Sequence, residues 1–328
     1  MEKFLSPETI YSGLKNKEIS RNIAADQLIS LIEVSDNPKI RSKSISILNK
    51  LEIHDPKIFK IIESSLLSDE NSNVRMSAVN LIGRQFLKEG IDSLTWVAQH
   101  DKSPLVLKAI FDLNLEFTDT QLKSLIKELD EYLAKIALAV GIISNEAKFI
   151  LDLEAIFAHN EENYDLQLRS YQFYKQLKDP KLGEFWLTIR NKHIESLSFN
   201  YFNWTYMKQN PVMFDSISNL QDPIVYLNLL QKINSPNNIN LKIPESISLL
   251  TKLRKLNLSK NSIIELPKSI YLLSNLKYLD LSYNMLNEIP EEITNLKSLT
   301  TLKIQNNQIS KIPKTVVYYL DKLSICKS

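Results

Sequence analysis

The chain has 328 residues, 44% of them hydrophobic, enough apolar material for one large or two ordinary cores and too much for a dominantly disordered chain. With 40 Lys and Arg against 38 Asp and Glu, the net charge by itself argues neither for nor against a polyanionic partner. The single cysteine, Cys326, excludes an intrachain disulfide and a thiolate metal cluster, as expected of a protein in a reducing intracellular compartment.

The first residues, Met1 to Glu8, hold no apolar stretch of the kind a secretory signal needs. The longest apolar run, Ile136 to Ile143, is far too short to cross a bilayer. A cytoplasmic protein without membrane contact is expected.

Five segments then follow a loose period: 37–51, 71–86, 103–117, 131–143 and 164–177. They align on a basic residue, Arg41, Arg75, Lys108, Lys135 and Arg169, with separations of 34, 33, 27 and 34. Apolar residues follow at helical spacing, as in Val74, Ala78, Leu81 and Ile82. Turn formers precede several of them, among them Asp36-Asn37-Pro38, Asp69-Glu70-Asn71 and Asp101-Lys102-Ser103-Pro104. Paired helices with a turn acid and a basic residue opening the second helix resemble HEAT repeats, over about residues 18–180. The expected architecture for 1–180 is a HEAT-like α-solenoid, with a generic α-solenoid as the alternative.

Residues 181–228 fit neither this period nor the one that follows. They are rich in aromatic side chains: Phe185, Trp186, Phe199, Tyr201, Phe202, Trp204, Tyr206 and Phe214. The segment is expected to be a helical connector that caps the open end of the next block. An exposed aromatic patch for a partner or for stacking bases is the other reading.

The C-terminal block, 229–328, is strictly periodic. LRKLNLSKN (253–261), LKYLDLSYN (276–284) and LTTLKIQNN (299–307) each fit LxxLxLxxN and begin 23 residues apart, with a fainter copy at 230–238. Ile243-Pro244, Leu266-Pro267, Ile289-Pro290 and Ile312-Pro313 recur at the same spacing. This pattern resembles the leucine-rich repeat, and its LPxxIxxLxxL variant resembles the intracellular Ras-suppressor and scribble type. The Leu positions of each strand, such as Leu256 and Leu258, should point inward, with Leu266, Ile270 and Leu273 behind them. Asn238, Asn261, Asn284 and Asn307 should satisfy backbone groups where the chain leaves the strand. The fold class is thus mainly α with a C-terminal α/β solenoid.

No catalytic constellation emerges. The histidines His54, His100, His159 and His193 are scattered, so the paired His-Glu motifs of HEAT-type hydroxylases are absent, and the five glycines assemble no phosphate loop. No GxSxG elbow is present. The expectation is a monomeric non-enzyme without metal or organic cofactor. What remains is surface. Strand residues alternate between faces, which assigns Lys255, Asn257 and Ser259, then Tyr278, Asp280 and Ser282, then Thr301, Lys303 and Gln305 to the concave side, with Tyr283 just beyond. Such a mixed polar and aromatic face suits protein recognition.

The expected function is an intracellular adaptor, and the Ras-suppressor resemblance implies small GTPases or their regulators as partners. A nucleic-acid-binding or DNA- or protein-modifying helical-repeat protein is the alternative, prompted by charge: residues 230–328 hold 14 Lys and Arg against 7 Asp and Glu, leaving 26 against 31 for the rest. The Lys residues, however, spread over strand, turn and convex positions (Lys242, Lys252, Lys260, Lys277, Lys311, Lys314), where a phosphate-tracking surface would concentrate them.

Overall fold

Nine helices open the described part of the chain: α1 (Pro7–Lys15), α2 (Arg21–Val34), α3 (Pro38–Leu51), α4 (Pro56–Ser68), α5 (Ser72–Gln85), α6 (Leu87–His100), α7 (Pro104–Phe111), α8 (Thr120–Val140) and α9 (Ser144–Ala158). The computed structural model describes residues 6–113, 120–158, 185–199, 243–261 and 263–326. The repeats expected at 164–177 and 230–238, His159, and the aromatic residues from Tyr201 to Phe214 lie outside them.

Each early helix starts where its sequence dictates. Ser6, Ser20, Asn37, Asp55 and Asn71 accept a backbone N–H two or three residues on, and Pro stands at the start of α1, α3, α4 and α7. Helices α2 and α3, then α4 and α5, form hairpins, while α3 packs on α5, α5 on α7, and α4 on α6. The core between them is fully buried, with Leu28, Ile45, Ile62, Leu66, Leu81, Ile82, Leu94 and Ile110 at 0% exposure.

The aligned basic residues bind consecutive hairpins together. Arg41 donates from Nε and Nη2 to Asp69 (2.8 and 2.9 Å) and from Nη1 to Ser35 O (2.9 Å). One repeat later, Arg75 donates to both oxygens of Asp101 (2.7 and 3.1 Å) and to the carbonyls of Asp69 and Glu70 (2.8 and 2.9 Å). The acids also cap the next turn: Asp69 accepts from Asn71 N–H and Asp101 from Ser103 N–H. At α7 the aligned basic residue, Lys108, pairs with Asp112 on its own helix. Lys135, expected to open a helix, instead lies exposed inside α8, because the heptad-like run Leu122 to Val140 is apolar enough on one face to carry helix through that point.

The contacts divide the chain into two compact units, 1–132 with 154–167 and 133–153 with 168–328. This differs from the boundary expected at residue 180. The reason is local: Ile143 N–H donates to Lys192 O (2.9 Å), and buried Glu146 accepts from Ile194 N–H (2.8 Å) while its other oxygen meets His193 Nδ1 (2.8 Å).

The second unit corrects another expectation, because residues 185–199 of the supposed helical connector form a β-hairpin. Strands β1 (Phe185–Arg190) and β2 (His193–Phe199) pair antiparallel around Asn191 and Lys192, both left-handed with φ 50° and 64°. A two-residue turn of that hand suits the twist of the flanking strands. Four parallel strands follow, β3 (Lys255–Asn257), β4 (Tyr278–Asp280), β5 (Thr301–Lys303) and β6 (Ser324–Cys326), giving one sheet in the order β1 to β6. The strand beside β3 is β2, with Leu197 opposite Leu256.

Behind the sheet, each Pro of the 23-residue pattern opens a short 3-10 turn, at Glu245–Leu249, Lys268–Leu272 and Glu291–Asn295, and then helix α10 (Lys314–Leu320). Leu256, Leu258, Leu279 and Leu302 are fully buried between the two layers. Ile270 and Leu273 fill the core as expected, whereas Leu266 is only half-buried.

Candidate protein-binding face

Strand register sets the rows of this face. Lys255, Tyr278 and Thr301 stand side by side, as do Asn257, Asp280 and Lys303. Neighbouring strands are ~4.8 Å apart, so each row offers a ladder of side chains to a ligand lying across the strands. Lys255 is exposed, Asn257, Tyr278, Thr301, Lys303 and Gln305 are half-buried, and Tyr283 is 52% exposed.

Asp280 departs from the expected solvent exposure and is 6% exposed. Its Oδ1 accepts from Ser282 N–H (3.1 Å) and Ser282 Oγ (2.6 Å), and its Oδ2 from Tyr278 OH (2.9 Å), with Lys303 Nζ at 3.6 Å. Asn257 does the same one repeat earlier, accepting from Ser259 N–H (3.0 Å) and Ser259 Oγ (2.7 Å). The residue therefore fixes the strand exit, and Ser259 and Ser282, assigned to the concave surface, are buried by it. The sequence carried a signal for this. Asn257-Leu258-Ser259 and Asp280-Leu281-Ser282 are the side-chain-to-backbone turns that short Asx residues make two positions on.

Tyr278, Asp280 and Lys303 form one network. The Lys303 ammonium lies 5.4 Å from the Tyr278 ring centre. Burial pushes the Tyr278 phenol above its ordinary range, with Lys303 opposing and Asp280 reinforcing. The hydrogen bond with Tyr278 holds the Lys303 ammonium up.

The asparagine ladder supports this face from below. Asn284 Oδ1 accepts from the N–H groups of Asn261 and Ile263 (both 3.0 Å), and its Nδ2 donates to Leu258 O (2.8 Å) and Leu281 O (3.0 Å). Asn307 repeats the pattern with Leu286 N–H, Leu281 O and Ile304 O. Asn238 lies outside the described residues. Just before each Asn the backbone is left-handed, at Lys260, Tyr283 and Asn306 (φ 61°, 56° and 55°). That step turns Tyr283 outward, 5.7 Å from Lys260 Nζ. Lys260 was not among the residues assigned to the face.

Among the described residues, no group of three or more His, Cys, Asp or Glu is placed to hold a metal ion. No described helix is long and apolar enough to cross a membrane.

Comparison with known proteins bears on this block. Among curated proteins no sequence matches the chain. A leucine-rich-repeat protein of Leptospira interrogans of solved structure is 36% identical over a match covering 26% of this chain and 22% of that one, with a TM-score of 0.24; the chain thus spans under a quarter of that protein. Residues 251–309 match the family described as Leucine rich repeat, in agreement with the repeating strand, asparagine ladder and proline-led turn, so the C-terminal part of the chain carries leucine-rich repeats.

Proposed function

We propose that the protein is a non-catalytic cytoplasmic adaptor, acting as a monomer, whose concave strand face binds a protein partner. Leucine-rich repeats in general mediate protein–protein interaction, and the matched repeats are the coarse support for this reading. The observation that carries it is the row Lys255, Tyr278, Thr301, with Lys303 and Tyr283 beside it, held on a backbone whose own polar groups are satisfied by the asparagines. A rigid face with accessible aromatic and charged groups keeps the ordering cost of binding low. The helices α2 to α7, read as HEAT-like, offer a second surface, and the Ras-suppressor-type repeat nominates small GTPases or their regulators as the first partners to screen.

The test is site-specific photocrosslinking in the native cell. A benzophenone amino acid replacing Tyr278 should give covalent protein adducts, whereas the same group replacing Leu272 on the proline-led turn should not. Adducts from Leu272 alone would remove the concave face from consideration. Lack of binding to any nucleotide-loaded GTPase in a purified panel would end the GTPase reading and leave the adaptor reading standing.

A further inference from the structure

The 23-residue repeat sorts charge by position. Segments 250–260, 273–283 and 296–306, which are the strands, the loops entering them and the left-handed step after them, carry seven basic residues and one acid, Asp280. The intervening segments from 243 to 323 carry four basic residues and six acids. The basic excess thus falls in the strands and the loops that enter them, and six of the seven acids between 243 and 323 fall in the intervening segments.

The acids near this rim are already engaged. Glu195 on β2 lies 3.3 Å from Arg254 and 3.8 Å from Arg190, and Asp280 is enclosed by Tyr278, Ser282 and Lys303. Lys277 and Tyr278 donate their N–H groups to Arg254 O (2.8 and 3.0 Å), which sets Lys277 one strand over from Arg254 and next to the Lys255–Tyr278 pair. Lys255 and Lys277 are exposed, and among the described residues neither ammonium has a carboxylate within 4.0 Å.

We propose that the partner segment bound by this face is an acidic peptide stretch, its carboxylates meeting Lys255 and Lys277 and its apolar or aromatic side chains lying against Tyr278 and Tyr283. This rests on the concave-face reading above. Charge complementarity favours it, since a cationic face with its acids internally paired attracts anions and repels basic segments. A nucleic acid fits less well. Affinity along a phosphate chain comes from many Lys and Arg contacts to successive phosphates, and this face offers few unengaged cations and a carboxylate near its centre.

The experiment uses the full-length protein and a displayed library of random 12-residue peptides, followed by fluorescence anisotropy of the selected peptides. The expected result is enrichment of Asp and Glu, and binding that weakens at least tenfold in K255E/K277E but is unchanged in K268E/K314E, which lies on the turn side. Selection of neutral or basic peptides, or equal loss in both double variants, would overturn the proposal. A 12-nucleotide single-stranded DNA that binds more tightly than every selected peptide would overturn it too. If crosslinking from position 278 succeeds while acidic peptides are not selected, the acidic preference fails and the adaptor reading survives; if position 278 gives no adducts, the face itself fails.

Discussion

Asp280 and Leu279 are neighbours in sequence with opposite surroundings, and both are structural. Leu279 and Leu302 are fully buried, so truncating either to Ala should cost roughly 2–5 kcal/mol from lost contacts and the cavity left behind. Asp280→Ala removes the acceptor for Ser282 N–H, Ser282 Oγ and Tyr278 OH and should cost about 1–3 kcal/mol, whereas Asp280→Asn, which reproduces the side chain at Asn257, should cost less. Urea unfolding midpoints decide this; a neutral Asp280→Ala would show that the network contributes nothing. The same network predicts alkaline sensitivity. Burial pushes up the phenols of Tyr278, Tyr271 and Tyr319, and Lys303 is raised by Tyr278. The folded state therefore keeps protons that the unfolded chain releases above about pH 10. Their contribution is fully present below that pH and declines as pH rises toward the folded values. Thermal melts at successive pH values should be level with respect to these groups up to about pH 10 and fall beyond it, with a shallower fall in Tyr278→Phe. An unchanged slope in Tyr278→Phe would remove Tyr278 from the explanation.

Among elements, the repeats were legible wherever a period coincided with a local physical signal. LxxLxLxxN fixes both the alternation of a short strand and the Asn that satisfies its exit, and β3, β4 and β5 fall on it. β6 continues the same 23-residue spacing, with Ile325 opposite Leu302, but Lys322 and Lys327 occupy its outer leucine positions, so the motif hid it. The hairpin β1–β2 escaped because its turn is Asn-Lys rather than a glycine turn, and because its aromatic residues merged with the run that follows. In the helical part, the Arg and acid pattern located α3, α5 and their neighbours, while close helix approach had no readable signature. Gly90 shows that approach: a Cβ added there would stand 2.2 Å from Ile82 Cγ2 and 3.5 Å from Phe59. Ala gains roughly 1 kcal/mol over Gly in helix propensity, yet the stiff β-branched Ile82, itself fully buried, has little room to yield. Overpacking of this kind costs about 1–3 kcal/mol, so Gly90→Ala should lower the melting temperature. A rise would mean that α5 and α6 separate more easily than their packing implies.

At the scale of the whole molecule, sequence periodicity placed the division near residue 180, whereas the contacts assign 133–153 to the unit that contains the hairpin and the leucine-rich repeats. Glu146 explains why such a boundary is hard to read. It is one of three acids in α9, with nothing in the sequence to set it apart from Asp152 and Glu154, and its partners, Ile194 N–H and His193 Nδ1, lie 48 and 47 residues away. At 0% exposure it satisfies a backbone donor that would otherwise be buried and unpaired. Glu146→Ala should leave Ile194 N–H without an acceptor at a cost of about 1–3 kcal/mol, and this loss should fall on the second unit alone. Hydrogen exchange on the intact chain provides the measurement. Protection of 185–199 should drop roughly tenfold or more, in line with that free energy, with a smaller drop in the adjoining strand β3, and residues 6–113 should exchange as before. Glu146→Gln keeps an acceptor for Ile194 but loses the charged partner of His193, so its effect should be intermediate. Unchanged protection of 185–199 in Glu146→Ala would show that the hairpin is held by its sheet partner β3 rather than by α9. Increased exchange across 6–113 would show instead that the two units unfold as one.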